Sequence, residues 1–262
     1  VSVRAAAGDL AIEVDPAHGA RLVSFTVAGE ELLSTQEVPG VPTSISRGCY
    51  PMVPWAGRIG GGTVEHAGQR HALPLDGDGN ALHGLGLDAV WQQDDATHDG
   101  AAFSVELGDP WPVRGRATLR YALTPRQLVC TLTWDGAGPG ASLGLHPWFR
   151  RTLSDGTSAD VDVAPLEMVE RDGALPTGRL VAPREGPWDD CFRLARDPVV
   201  RWGDALTLRL SSDAPWWVVY SEPDHAVCIE PQTAPPDAFA HPDWHRWLQA
   251  RSLTFTLDVE TR

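Results

Sequence analysis

Residues 115–134 read GRATLRYALTPRQLVCTLTW. Leu119, Tyr121 and Leu123 alternate with Thr118 and Arg120, and Leu128, Cys130, Leu132 and Trp134 alternate with Thr131 and Thr133. A period of two puts the apolar set on one face of a pleated strand and the polar set on the other. The link Thr124, Pro125, Arg126, Gln127 reads as the turn of a hairpin. Phe103, Val105 and Leu107 carry the same pattern upstream. Leu206, Leu208 and Leu210 carry it downstream, as do Leu253, Phe255, Leu257 and Val259 near the C-terminus. No long helical stripe, internal repeat or low-complexity linker interrupts it. Only residues 243–250, DWHRWLQA, suggest a short helical turn. The expectation is an all-β chain of two large antiparallel sheets packed face to face, forming a single domain over residues 1–262.

Composition narrows the function. A formal net charge of -14 repels nucleic-acid phosphates and anionic membranes alike, so neither is an expected partner. All 21 basic residues are arginine, and without lysine there is no Schiff base and no seat for pyridoxal phosphate. Cys49, Cys130, Cys191 and Cys228 show none of the two-residue spacing of zinc knuckles or redox pairs, and they read as reduced thiols. The opening segment VSVRAAAGDLAIEV has no apolar core of signal-peptide length, which suggests a cytoplasmic protein.

Two segments share a design. SLGLHPW (142–148) runs an apolar strand up to His146 before Pro147, and AVCIEPQ (226–232) runs another up to Glu230 before Pro231. A residue before proline is held extended, so both side chains acquire fixed directions at the expected strand ends. A partly desolvated carboxylate and a histidine make a matched base and acid near neutrality. Each residue alone also fits plain edge-strand punctuation. Two further loops, PMVPWAGRIGGG (51–62) and NALHGLG (80–86), embed Arg58 and His83 among Gly, Pro and apolar residues, as loops that cradle ligands do. WDDCF (188–192) adds Asp189 and Asp190, acceptors suited to pairs of hydroxyls, and Trp55 and Trp148 could stack on a sugar ring. None of these His, Asp and Glu residues sits at a close ligand spacing such as HxH or HExxH, so no metal and no cofactor are expected.

Taken together and in order, PMVPWAGRI, NALHGLG, LGLHPWF, WDDCF and CIEPQTAPPDAF resemble the motifs of the aldose 1-epimerases, also called galactose mutarotases. The likeness runs from GARLVSF at residue 19 through DPWPVRGRATLRYAL to the closing TFTLDV. It implies a galactose-mutarotase-like β-supersandwich and a cofactor-independent isomerase acting on a small sugar. It also implies Glu230 as general base, His146 as general acid, and Arg58, His83 and Asp189 as sugar-binding groups. Asp189 is preferred to Asp190 because the family places this aspartate three residues before the phenylalanine, here Phe192. The chain departs from galactose-type members in lacking their second histidine in an Asn-His context and the paired glycine after the first. The expected reaction is interconversion of the α and β anomers of a free aldohexose. The alternatives are an epimerase of a phosphorylated hexose, with Arg150 and Arg151 as the phosphate seat, or a carbohydrate-binding sandwich without catalysis.

Overall fold

The computed structural model describes residues 1–36, 42–138 and 140–262. The segments that alternate in sequence are strands. Gly115–Thr124 and Gln127–Trp134 pair through the expected hairpin, with Thr124 opposite Gln127. With Gly100–Leu107 before them and Ser252–Thr261 beyond, they form the centre of an eight-stranded antiparallel sheet. Side chains from its inner face are fully buried, Phe103, Leu119, Leu132 and Phe255 among them. Its open edge is Gln92–Thr97, exposed at every position and carrying Asp94 and Asp95, which discourages pairing with another chain.

The second sheet has eleven strands. Its centre runs from Cys49–Met52 to Gly144–Arg150, Ala226–Gln232, Trp216–Tyr220 and Asp189–Leu194. These strands do not alternate between buried and exposed: Cys49–Met52 and Ala226–Gln232 are buried throughout. One face packs on the first sheet, where Phe149, Val227 and Ile229 join the shared core and Trp217 lies edge-on to Phe255 at 6.1 Å. Each such aromatic removes enough apolar surface from water to stabilise the fold by about 1.5–3 kcal/mol. Tyr121 fastens the two layers with a buried hydrogen bond of 2.8 Å from its hydroxyl to the Ala20 carbonyl.

The other face is covered by loops. The segment 233–249 folds over one end of it, and Pro242–Gln249 is a 3-10 helix where a helical turn was expected. Trp244, Leu248, Trp216, Val169 and Ala238 make a second small core beneath that segment. Among the described residues no helix is long and apolar enough to cross a membrane.

The sequence suggested that His146 and Glu230 end their strands. Instead both strands continue through the following proline, and the two lie side by side in the middle of the sheet. Proline brings no N–H to a ladder. The pairing of these strands runs from Gly144 opposite Gln232 directly to Trp148 opposite Cys228, so the ladder lapses where the two prolines fall.

Candidate active site

Residues directly opposite one another on antiparallel strands share a face. On the loop-covered face, Tyr50 is opposite His146, Glu230 is opposite Val218, and Val218 is opposite Cys191. His146 and Glu230 meet across the lapse in the ladder, with Nε2 of the imidazole 3.2 Å from Oε1 of the carboxyl. The next row holds Trp148, Cys228, Tyr220 and Asp189. Above these rows lies a cavity of about 530 Å³, bordered by His146, Glu230, Arg58, His83, Asp189 and Trp148 among others. That volume falls within the roughly 300–1,000 Å³ of small-molecule sites.

Each functional side chain has a local reason for its position. His146 is clamped in a run of stacked rings, with Tyr50 at 4.6 Å on one side, Trp148 at 5.5 Å on the other, and His225 at 6.0 Å beyond Trp148. Tyr50 in turn carries the buried Arg21 guanidinium over its ring at 4.7 Å, and the Arg47 carbonyl accepts from that guanidinium at 2.7 Å. His83 sits at φ 58°, a conformation rare for a residue with a side chain, and Gly84 follows at φ 83°. A Cβ on Gly84 would lie 2.2 Å from the Val53 carbonyl oxygen, so only glycine lets this loop press onto the sheet and aim His83 into the cavity. Its edge-on ring lies 5.1 Å from that of His146. Arg58 comes from the two-residue strand Arg58–Ile59, paired with Ala81–Leu82 just before His83, so one small ladder holds both loops together.

Electrostatics separate this cluster from the rest of the molecule. Burial, then the negative charge of Asp189, pushes the Glu230 carboxyl well above the usual carboxylate value, despite a hydrogen bond from Gln232 Nε2 at 3.3 Å. Burial, then His83 and Arg21, holds the His146 imidazole well below its usual value. Burial beside Arg58 pulls His83 down to about 3. Both partners of the pair are thus biased toward their neutral forms, with one proton between them. Around them lie buried polar atoms with no hydrogen-bond partner in the described structure: Arg58 Nε, His83 Nδ1, His146 Nδ1, His225 Nε2 and Gln232 Oε1. Buried polar atoms are rarely left unpaired, and a concentration of them around one cavity matches a ligand with many hydroxyl groups.

Besides Asp190, six of the residues singled out in the sequence border this cavity: Glu230, His146, Arg58, His83, Asp189 and Trp148. Asp190 also borders it, but its carboxylate is 2% exposed and accepts from Arg171 Nε at 2.9 Å and Arg184 Nη2 at 2.5 Å. Trp55 is a correction. It is 1% exposed, stacks on Trp111 at 5.5 Å and does not border the cavity, so no sugar ring can lie on it. Arg150 and Arg151 are a second correction: neither borders the cavity, Arg150 lies 3.9 Å from Glu30, and Arg151 is spent on the Ser221, Pro223 and Ala226 carbonyls. Sequence reasoning missed Tyr50, His225 and Gln232. Gln232 stands two residues after Glu230, and the period of two alone would have put it on the same face. His225, in the turn SEPDH, left no comparable signal.

Known proteins agree with this architecture. The aldose 1-epimerase family matches residues 14–254. A galactose mutarotase-like protein from Clostridium acetobutylicum superposes with a TM-score of 0.83 at 17% identity, covering 99% of this chain and 95% of its own. An aldose epimerase homologue from C. elegans gives 0.81 at 16% identity, covering 100% and 99%. A galactose 1-epimerase from Lactobacillus acidophilus gives 0.76 at 17% identity, covering 97% and 92%. No curated protein matches the sequence. The structural likenesses, at such low identity, speak for the fold, and the family match over most of the chain speaks for descent: this protein belongs to the aldose 1-epimerase family of isomerases.

Proposed function

We propose that the protein interconverts the α and β anomers of a free aldohexose, with Glu230 and His146 exchanging protons with the sugar. The observation that carries this reading is the buried His146–Glu230 contact of 3.2 Å on the cavity floor. Ring opening needs a proton taken from the anomeric hydroxyl and one given to the ring oxygen, and a pair sharing one proton supplies both. In the charge-separated form of the pair, carboxylate and imidazolium, Glu230 accepts the anomeric proton while His146 gives its proton to the ring oxygen. The bond from C1 to the ring oxygen breaks and the aldehyde is released. Glu230 is then the neutral acid and His146 the neutral imidazole, the state that burial favours. After rotation about C1–C2 the steps reverse, and closure on the other carbonyl face gives the opposite anomer. Protons balance over the cycle, and neither a redox change nor a cofactor enters it.

Arg58 and His83 are assigned to the oxygens where charge changes. Preorganised donors in a water-poor site are worth far more there than in water. Asp189 is assigned to ring hydroxyls, since its carboxylate faces the cavity in the row beside Trp148 while that of Asp190 is occupied by two arginines. A free sugar is favoured over a phosphorylated one because Asp189 and Glu222 border the cavity, Arg150 and Arg151 do not, and of the two arginines that do, Arg58 and Arg171, the second is paired with Asp190.

Polarimetry on freshly dissolved α-glucose, α-galactose and glucose 6-phosphate tests the reading. Wild type is expected to accelerate mutarotation of a free hexose above the buffer rate, and Glu230→Gln is not. Acceleration of glucose 6-phosphate alone would overturn the free-sugar assignment. No acceleration of any of the three would leave a sugar-binding sandwich.

A further inference from the structure

From the placement of Cys228 beside the acid/base pair we infer that the cavity floor is a binding site for one thiophilic divalent cation, zinc or cadmium, held by Cys228, His146 and Glu230. Cys228 and Glu230 are two apart on the strand Ala226–Gln232 and therefore share a face, while His146 stands on the neighbouring strand. One ligand atom from each of the three lies within 4.8 Å of the other two. Zinc bound to nitrogen, oxygen and sulfur at about 2.0–2.3 Å requires ligand separations of roughly 3.3–3.8 Å, so a closure of about 1 Å completes three corners of a tetrahedron. The fourth corner opens toward the cavity that His146 and Glu230 border. His146 Nδ1 is buried with no hydrogen-bond partner in the described structure, so the imidazole is not committed to another protein group through that nitrogen. A donor set of one sulfur, one imidazole nitrogen and one carboxylate oxygen selects zinc or cadmium over magnesium or calcium. The close spacings that mark metal sites in sequence are those of helices and tight loops. A sheet face assembles ligands from strands far apart in the chain, which is why this cluster was not legible there.

Binding releases the Cys228 thiol proton, and with it the proton shared by the pair, to solvent. On the epimerase reading the cation would occupy both the acid and the base, so it would inhibit reversibly and would serve no catalytic step. Cys228 itself does not border the cavity and has no part in the proposed chemistry.

Cadmium titration of the intact protein, followed by the ultraviolet thiolate-to-cadmium charge-transfer band, tests the site without reference to turnover. Wild type is expected to develop the band with one cadmium per chain. Cys191→Ser, which removes the thiol that does border the cavity, is expected to retain it. Cys228→Ser is expected to lose the band. His146→Gln, which keeps every thiol, is expected to bind cadmium at least ~10- to 100-fold more weakly, the loss seen when even a supporting partner of a metal site is removed. No band in wild type, an undiminished band in Cys228→Ser, or loss of the band in Cys191→Ser would each overturn the assignment. If wild type shows mutarotation, zinc should suppress it and a chelator restore it, with Cys228→Ser resistant to zinc. Mutarotation unaffected by zinc at concentrations where cadmium binds would overturn the inhibitory role. The cadmium band stands or falls independently of whether any sugar is turned over.

Discussion

The two sheets bury their strands in different ways. In the eight-stranded sheet, Gln127–Trp134 alternates strictly between fully buried and partly buried positions, and Gly115–Thr124 alternates in the same way between buried and solvent-facing ones. In the eleven-stranded sheet, Cys49–Met52, Ala226–Gln232 and nearly all of Gly144–Arg150 are buried on both faces. The first sheet is a scaffold whose polar residues meet water. The second carries His146, Glu230 and Gln232 on a face that is covered, and covering a polar group without full pairing costs stability. A polar residue within a strand covered on both sides therefore marks function more sharply than one on an alternating strand.

The largest expected effect breaks the comparison at its centre. Glu230→Gln should lower mutarotation by about 10²–10⁴-fold, the usual range for losing a positioned acid or base. The same change should raise or preserve thermal stability at neutral pH. A carboxyl whose folded pKa is raised contributes fully below its unfolded value of 4.5 and loses that contribution as pH climbs through the raised folded value. Polarimetry and thermal unfolding on one sample check both halves, and a large fall in stability at neutral pH would contradict the account.

The scaffold should respond in the opposite sense. Phe103→Ala, at a fully buried position of the eight-stranded sheet, should cost about 3–5 kcal/mol in denaturant unfolding while leaving kcat and KM of the folded fraction unchanged. A specific loss of kcat there would mean that the sheets do not divide labour as described.

Smaller effects sharpen the division within the site. Asp189→Asn should weaken sugar binding, seen as a higher KM, with little change in unfolding free energy. Asp190→Asn should chiefly destabilise, by about 1–3 kcal/mol, because Arg171 and Arg184 lose a buried charged acceptor. Exchange of these two phenotypes would reassign the sugar contact. His83 shows its effect only at acid pH. With its folded value near 3 and an ordinary value of 6.5, it withdraws stability as pH falls from 6.5 toward 3, by at most about 1.4 kcal/mol per unit. His83→Asn, which does not titrate, should flatten acid unfolding over that interval, and an unchanged acid limb would contradict the burial of a neutral imidazole.

Much of this was legible in the sequence because alternation encodes the scaffold directly. Leu119, Tyr121, Leu128 and Cys130 went where a period of two sends them. Arg58, His83, His146 and Glu230 were legible as polar groups stranded among apolar, Gly and Pro residues. What escaped notice depended on contacts between distant strands. Trp55 stood next to a site motif and was drawn to Trp111 instead, while Tyr50, five residues earlier, took the place against His146. The strand ends expected at Pro147 and Pro231 did not occur, since both prolines fall where two central strands already leave their ladder open. Cys228 showed no motif at all, because its neighbours His146 and Glu230 are assembled by sheet order.

The most direct test of the acid/base pair is the pH dependence of kcat/KM for mutarotation. With one proton required on the pair, the account predicts a bell: an acid limb below the usual histidine value of 6.5 and an alkaline limb well above the usual carboxylate value of 4.5. A single limb near 4.5 with no alkaline fall would show an ordinary, solvated carboxylate at work and would contradict the shared-proton pair.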